Sequence, residues 1–174
     1  MSVVTDPVLA AIDVGTNSFH LVVARMRGAG RFDLLAREKE MVRLGHGGGD
    51  MRRIEPDAIE RGVAALSRMA RIAAASGAPV RAVATSAVRE ADNADEFIDA
   101  AADVGVEVEV ISGVEEARLI HLGILQAVPV FERRLIMIDI GGGTTDIAVW
   151  AQGAIRHTAV IPIAGNQVTN DIAM

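Results

Sequence analysis

The chain has 174 residues, a formal net charge of −6, 51% hydrophobic and 23% charged residues, and no cysteine. Disulfides, thiol catalysis and cysteine-held metals are therefore excluded, and the overall acidity argues against general nucleic-acid binding. The apolar runs are too short to insert in a membrane, and the start, Met-Ser-Val-Val-Thr-Asp-Pro, has neither the basic end nor the apolar core of a secretory signal, so a cytoplasmic protein is expected.

The first predicted elements are strands over residues 9–14, 19–26 and 31–44, joined by turns at 15–18 and 28–30, which gives an antiparallel meander. Residues 45–50, glycine-rich with His46, read as an exposed loop. Glu55-Pro-Asp opens a helix with the apolar stripe Ile59, Val63, Leu66, Ala70 and Ala73, stopped by Gly77 and Pro79. Residues 80–84 form a strand that ends in Thr85-Ser-Ala-Val-Arg89. Two hydroxyls and an arginine suit a phosphate contact. The same residues equally suit a helix cap and a surface charge.

Asn93 and Glu96 have capping-box spacing for a helix burying Phe97, Ile98, Ala101 and Ala102 and ending at Gly105. Residues 106–111 alternate as a strand. Ser112 with Glu115 opens another helix, to about 128, on which Glu116, Ile120, Gly123, Ile124 and Ala127 share one face. Glu116 heads that face where the chain leaves a strand. A carboxylate there can deprotonate a water, or it is simply an acidic residue favoured by the helix N-terminus. Residues 135–161 read as a second three-stranded meander and 164–174 as a short helix.

The two meanders share a pattern. Ile12-Asp-Val-Gly-Thr-Asn-Ser-Phe-His-Leu-Val-Val-Ala24 aligns without gaps on Ile138-Asp-Ile-Gly-Gly-Gly-Thr-Thr-Asp-Ile-Ala-Val-Trp150. A repeated strand–loop–strand unit predicts two similar lobes, each offering a loop to one phosphate chain. Asp139 sits in an otherwise apolar run, where a carboxylate needs a partner such as a metal or a polarised water. The order βββαβαβα followed by βββα means a mixed α/β sheet with crossover helices. Asp13, Thr85, Glu116 and Asp139 all fall at or just past strand ends, where ligands gather in such folds.

Asp13-Val-Gly-Thr-Asn-Ser18, Glu38-Lys-Glu-Met-Val-Arg-Leu-Gly45, Val83-Ala-Thr-Ser-Ala-Val-Arg89, Ile111-Ser-Gly-Val-Glu-Glu-Ala-Arg-Leu-Ile120 and Ile138-Asp-Ile-Gly-Gly-Gly143 closely resemble the exopolyphosphatase/guanosine-pentaphosphate phosphohydrolase (Ppx/GppA) family. The resemblance covers residues 8–143. It implies the actin-like ATPase superfamily fold: a ribonuclease-H-like lobe over 1–133 and the first half of a second such lobe over 134–174. It also implies release of terminal phosphate from polyphosphate or guanosine pentaphosphate, with Mg²⁺. Glu116 would be the catalytic base, and Asp13 and Asp139 would hold metal or water. Gly15, Thr16, Asn17, Ser18, Thr85 and Arg89, with Gly141, Gly142, Gly143, Thr144 and Thr145, would bind phosphates.

Beyond residue 143 the resemblance changes. Gly143-Thr-Thr-Asp-Ile-Ala-Val-Trp150, Gly153-Ala-Ile-Arg-His-Thr158 and Val160-Ile-Pro-Ile-Ala-Gly-Asn-Gln-Val-Thr-Asn-Asp-Ile-Ala173 look like the actin-like cell-division protein FtsA. This implies an ATP-binding segment, and with it a chimera joined near 134–143, with a single divergent protein as the alternative. The second lobe reads as incomplete, and half a lobe needs a covering surface. A homodimer, swapped through residues 135–174, is expected to supply it. The alternative function is a non-catalytic ATP- or phosphate-binding module with no enzymatic activity.

Overall fold

In the computed structural model, which describes residues 6–28, 31–45, 52–127, 135–140, 145–151 and 154–161, two compact units divide the chain, Met1–Val110 and Ile111–Met174. The first is built on β1 (Val8–Val14), β2 (Ser18–Met26) and β3 (Phe32–Met41), an antiparallel meander. Alternation decides what each strand buries. Ala10, Ile12 and Val14 face the core on β1 and pair in register with Val23, Leu21 and Phe19 on β2, all of them buried. Asp13 and its cross-strand neighbour His20 therefore share the opposite face of the sheet.

From β3 the chain passes through α1 (Pro56–Ala75) into β4 (Val80–Ala84), a short helix α2 (Ser86–Arg89), α3 (Ala94–Asp103) and β5 (Val108–Val110). The sheet order is β3-β2-β1-β4-β5, with β1, β4 and β5 parallel. Helix crossovers are what parallel strands require. Gly77 and Gly105, at φ 62 and 80, end α1 and α3 as the sequence predicts. The core is closed by the edge-on contact of Phe19 with Phe97, whose ring centroids lie 6.3 Å apart.

Several expected faces are rotated. The buried line of α1 runs through Ala58, Gly62, Ala65, Leu66, Met69 and Ala73, with Ile59, Val63 and Ala70 only half-buried. On α3, Phe97 and Ala101 are buried but Ala102 is exposed. Asn93 makes no side-chain cap. Instead its carboxamide clasps the backbone of Ile54, with Oδ1 accepting from the Ile54 N–H at 2.8 Å and Nδ2 donating to the Ile54 carbonyl at 3.0 Å. A buried side chain that satisfies a distant backbone pair outcompetes the local cap.

The second unit contains α4 (Gly113–Ala127) and the sheet β6 (Leu135–Ile140), β7 (Thr145–Ala151) and β8 (Ala154–Ile161), in that order. Ser112 Oγ accepts the Glu115 N–H at 3.2 Å, as the predicted capping spacing requires. The helix packs on β7 and β8, so it belongs with the second sheet, whereas the sequence reading ends the first lobe at 133. Among its described side chains, Ala117 and His121 are buried. Glu116 and Ile120 flank that line half-buried, and Gly123 is exposed. The expected helix over 164–174 lies outside the described residues.

The internal repeat holds at the level of register. Asp13 pairs with His20 and Val14 with Phe19; Asp139 pairs with Asp146 and Ile140 with Thr145. These are the positions the gapless alignment equates. The third strands agree as well, because the β2–β3 ladder slips between Val23 and Ala24 and the β7–β8 ladder slips between Val149 and Trp150. Aligned residues carry the bulge in both meanders. Register and bulge position are specific features of a strand pair, so the two meanders are copies of one structural unit.

Candidate active site

Parallel pairing of β1 with β4 sets Val14 beside Ala84. The segments that follow them, 15–18 and 85–89, therefore leave the sheet side by side at the carboxyl ends of neighbouring strands. This is where the strand order switches direction and where open α/β sheets bind ligands. The two segments are tied together. Thr16 Oγ1 and Ser86 Oγ are hydrogen-bonded at 3.0 Å, both side chains buried, and the Thr85 N–H donates to the Val14 carbonyl at 3.4 Å.

A third segment completes the frame. The end of β3 turns back along the loop so that the Gly45 N–H donates to the Thr16 carbonyl at 3.2 Å. The Asn17 carbonyl accepts from both Val42 N–H, at 3.0 Å, and Arg43 N–H, at 2.8 Å. The Ser18 carbonyl accepts from Gly15 N–H at 3.2 Å. Gly15 must be glycine for this closure, since a methyl there would lie 2.9 Å from the Ser18 oxygen. Three successive loop carbonyls are thus held by protein N–H groups. All described peptides are trans, and a trans peptide sets its N–H opposite its carbonyl. The N–H groups of Asn17 and Ser18 are consequently turned away from the donors that bind the Thr16 and Asn17 carbonyls. A loop with its carbonyl dipoles drawn into the protein is suited to an anion.

Side chains add to this. Ser18 Oγ and His20 Nε2 are hydrogen-bonded at 2.9 Å, half-buried, beside Asp13, an exposed carboxylate at the end of β1. Arg89, half-buried on α2, approaches Glu90 at 3.9 Å, and its N–H donates to the Thr85 carbonyl at 3.0 Å. Thr85 and Ser86 are not capping side chains, because no cap hydrogen bond is made at Thr85 and the Ser86 hydroxyl is spent on Thr16.

The structure thus brings Asp13, Gly15, Thr16, Asn17, Ser18, Thr85 and Arg89 to one end of the first sheet. Glu116 lies in the second unit, in the first turn of α4, half-buried, with its N–H donating to the Ser112 carbonyl at 2.9 Å. Asp139 and Thr145 close the second hairpin, at the positions aligned with Asp13 and Phe19. Gly141, Gly142, Gly143 and Thr144, like His46, lie outside the described residues. Ser86 enters the sequence expectation only as one of the two hydroxyls of its turn, and His20 does not enter it. For His20 the signal was present: strand alternation puts it on the face of Ser18 and Asp13.

Among the described residues no three histidines, aspartates or glutamates cluster to hold a metal by protein ligands alone. Mg²⁺ is commonly carried by one or two carboxylates together with waters and the phosphates of a substrate. Asp13 beside the loop fits that role. Also among the described residues, no helix is long and apolar enough to cross a membrane.

Burial pushes the His121 imidazole on α4 below its ordinary value of 6.5.

Known proteins match this arrangement. The structure resembles that of an exopolyphosphatase from Cytophaga hutchinsonii with a TM-score of 0.87 at 33% identity, over 94% of this chain and 53% of that one. It resembles the PPX-GPPA enzyme of Aquifex aeolicus with a TM-score of 0.79 at 29% identity, over 91% and 53%. The ethanolamine utilization protein EutJ from Carboxydothermus hydrogenoformans follows at 0.61 and 22% identity, over 96% and 56%, a likeness of fold alone. The fold is that of the actin-like ATPase superfamily. The chain spans about half the length of these solved structures. A sequence profile described as the Ppx/GppA phosphatase family matches residues 22–166. The match crosses the stretch 134–143 where the sequence reading places a join, and one family accounts for both sides of it. With the profile covering most of the sequence, the chain belongs to the Ppx/GppA phosphatase family.

Proposed function

We propose that this chain carries the phosphate-holding and water-activating parts of an exopolyphosphatase-type hydrolase that releases terminal phosphate from polyphosphate or guanosine pentaphosphate in the cytoplasm. The observation that supports this best is the loop 15–18, whose Thr16, Asn17 and Ser18 carbonyls are all turned onto protein donors. In this reading Gly15, Thr16, Asn17 and Ser18, with Thr85 and Arg89, hold the phosphate chain. Gly141, Gly142, Gly143, Thr144 and Thr145 do the same from the second, repeated hairpin. Mg²⁺, held by Asp13 and Asp139 when bound, would neutralise charge on the phosphate oxygens.

Glu116 is the proposed base. It takes a proton from a water as the water oxygen bonds to the terminal phosphorus, and the anhydride P–O bond breaks with its electron pair leaving on the shortened chain. Removing a general base costs about 10²–10⁴-fold in rate. The test is phosphate release from polyphosphate by the unaltered chain and by Glu116→Gln, with tripolyphosphate affinity measured alongside. A loss of that size at retained affinity supports the assignment. Equal release by both removes Glu116 from the chemistry, and binding without release in either points to the non-catalytic module.

A homodimer remains part of the proposal. Ile136 and Ile138 on β6 are exposed by 65% and 61%, an apolar strand face of the kind that a second copy would cover. Light scattering that gives the monomer mass at every concentration would remove it.

A further inference from the structure

Past the end of β3 the chain runs through Val42, Arg43 and Leu44. Val42 and Leu44 are buried, at 2% and 1% exposure, and Arg43 between them is exposed. Arg43 has φ 56, and among the described residues no other non-glycine residue has positive φ. That left-handed conformation suits glycine or asparagine and disfavours a long side chain. Its N–H is one of the two that bind the Asn17 carbonyl, so the strained turn is part of what fixes the phosphate loop.

The backbone bond does not explain the side chain. Glycine would donate the same N–H in the same conformation without strain. Strain that persists at a binding loop is a reason to ask what the side chain supplies. Here it supplies a guanidinium that makes no ion pair among the described residues, although eight other arginines there have a carboxylate within reach. The main chain of Arg43 is one hydrogen bond from the loop, and a planar guanidinium matches phosphate oxygens two at a time.

We infer that Arg43 is a substrate-binding residue that contacts the phosphate chain seated on the loop 15–18. The inference rests on the proposed function and deepens it, because it assigns charge recognition to a segment that the motif-based site leaves out.

Tripolyphosphate affinity by titration calorimetry, with thermal unfolding, is to be measured for the unaltered chain, Arg43→Gly and Arg43→Lys. Arg43→Gly is expected to unfold at the same or a higher temperature, because the strain is gone, while binding at least about tenfold more weakly, the loss of one charge-assisted hydrogen bond. Arg43→Lys keeps the strain and the charge and is expected to recover part of the affinity. A purely structural role would give the opposite order. Equal affinity of Arg43→Gly and the unaltered chain overturns the inference alone, as does Arg43→Lys binding no better than Arg43→Gly. Failure of the unaltered chain to bind tripolyphosphate overturns the proposed function and the inference with it.

Discussion

The hydrogen bond between the Thr16 and Ser86 side chains links the phosphate loop to the turn after β4, and it makes a specific demand on a double-mutant cycle. Both hydroxyls are buried, at 5% and 3% exposure, and are bonded to each other at 3.0 Å. Thr16→Val keeps the shape and leaves the Ser86 hydroxyl buried without its partner. Ser86→Ala does the converse to Thr16. Each single change is expected to cost about 1–3 kcal/mol, the desolvation of an unsatisfied polar group. The double change removes both polar groups and leaves nothing stranded, so it is expected to cost about 1 kcal/mol or more less than the sum of the singles. Urea unfolding of the four proteins reads the coupling. Because the loop loses its tie to β4 in every variant, tripolyphosphate affinity should fall in all three even where stability is regained. Additive stabilities, or a double variant that binds as well as the unaltered chain, would refute the claim that this pair ties the loop down.

Two further outcomes follow from the interior. Gly62→Ala puts a methyl 2.9 Å from Cε2 of Phe97 and 3.3 Å from Cδ1 of Leu44; overpacking of about 1–3 kcal/mol outweighs the gain of about 1 kcal/mol in helix propensity, and a raised melting temperature would contradict this. With the His121 pKa lowered by burial, the unfolded chain binds the proton first as pH falls through 6.5, so this group's stabilising contribution is full above 6.5 and is lost below it; His121→Gln should flatten the dependence of melting temperature on pH between about 7.5 and 5.5, and an unchanged slope would count against it.

The fold was legible where periodicity and punctuation carry it. Short apolar runs marked β1 and β2, Gly77 and Gly105 marked helix ends, and the gapless repeat anticipated two similar meanders, whose registers and bulges the structure shows to coincide. What local patterns did not carry was the phase of helix faces and the long-range polar pairing. The buried line of α1 centres on Gly62, because the Phe97 ring and Leu44 come down on that position, and no hydrophobicity pattern marks a glycine as the middle of a core face. Asn93 has capping-box spacing, yet Ile54, far away in sequence, takes its carboxamide. The candidate site divides in the same way. Asp13, Gly15 and Ser18 announce themselves in a motif, whereas the Thr16–Ser86 bond and the left-handed Arg43 exist only once β1, β3 and β4 are side by side.

That division bears on how the loop functions. The Thr16 and Asn17 carbonyls are held by backbone N–H groups of the 42–45 segment, so the loop's shape is set largely by main-chain bonds to β3 and its exit. Leu44 anchors that exit in the core against Gly62. Packing beneath the sheet is thereby coupled to the site above it. A methyl at Gly62 presses on Leu44, Leu44 carries the segment that binds Asn17, and Asn17 lies in the loop proposed to hold the phosphate chain. Gly62→Ala should therefore weaken tripolyphosphate binding as well as stability, although residue 62 lies in a helix interior. A variant destabilised as expected but with unaltered affinity would show that the 42–45 clamp absorbs the displacement.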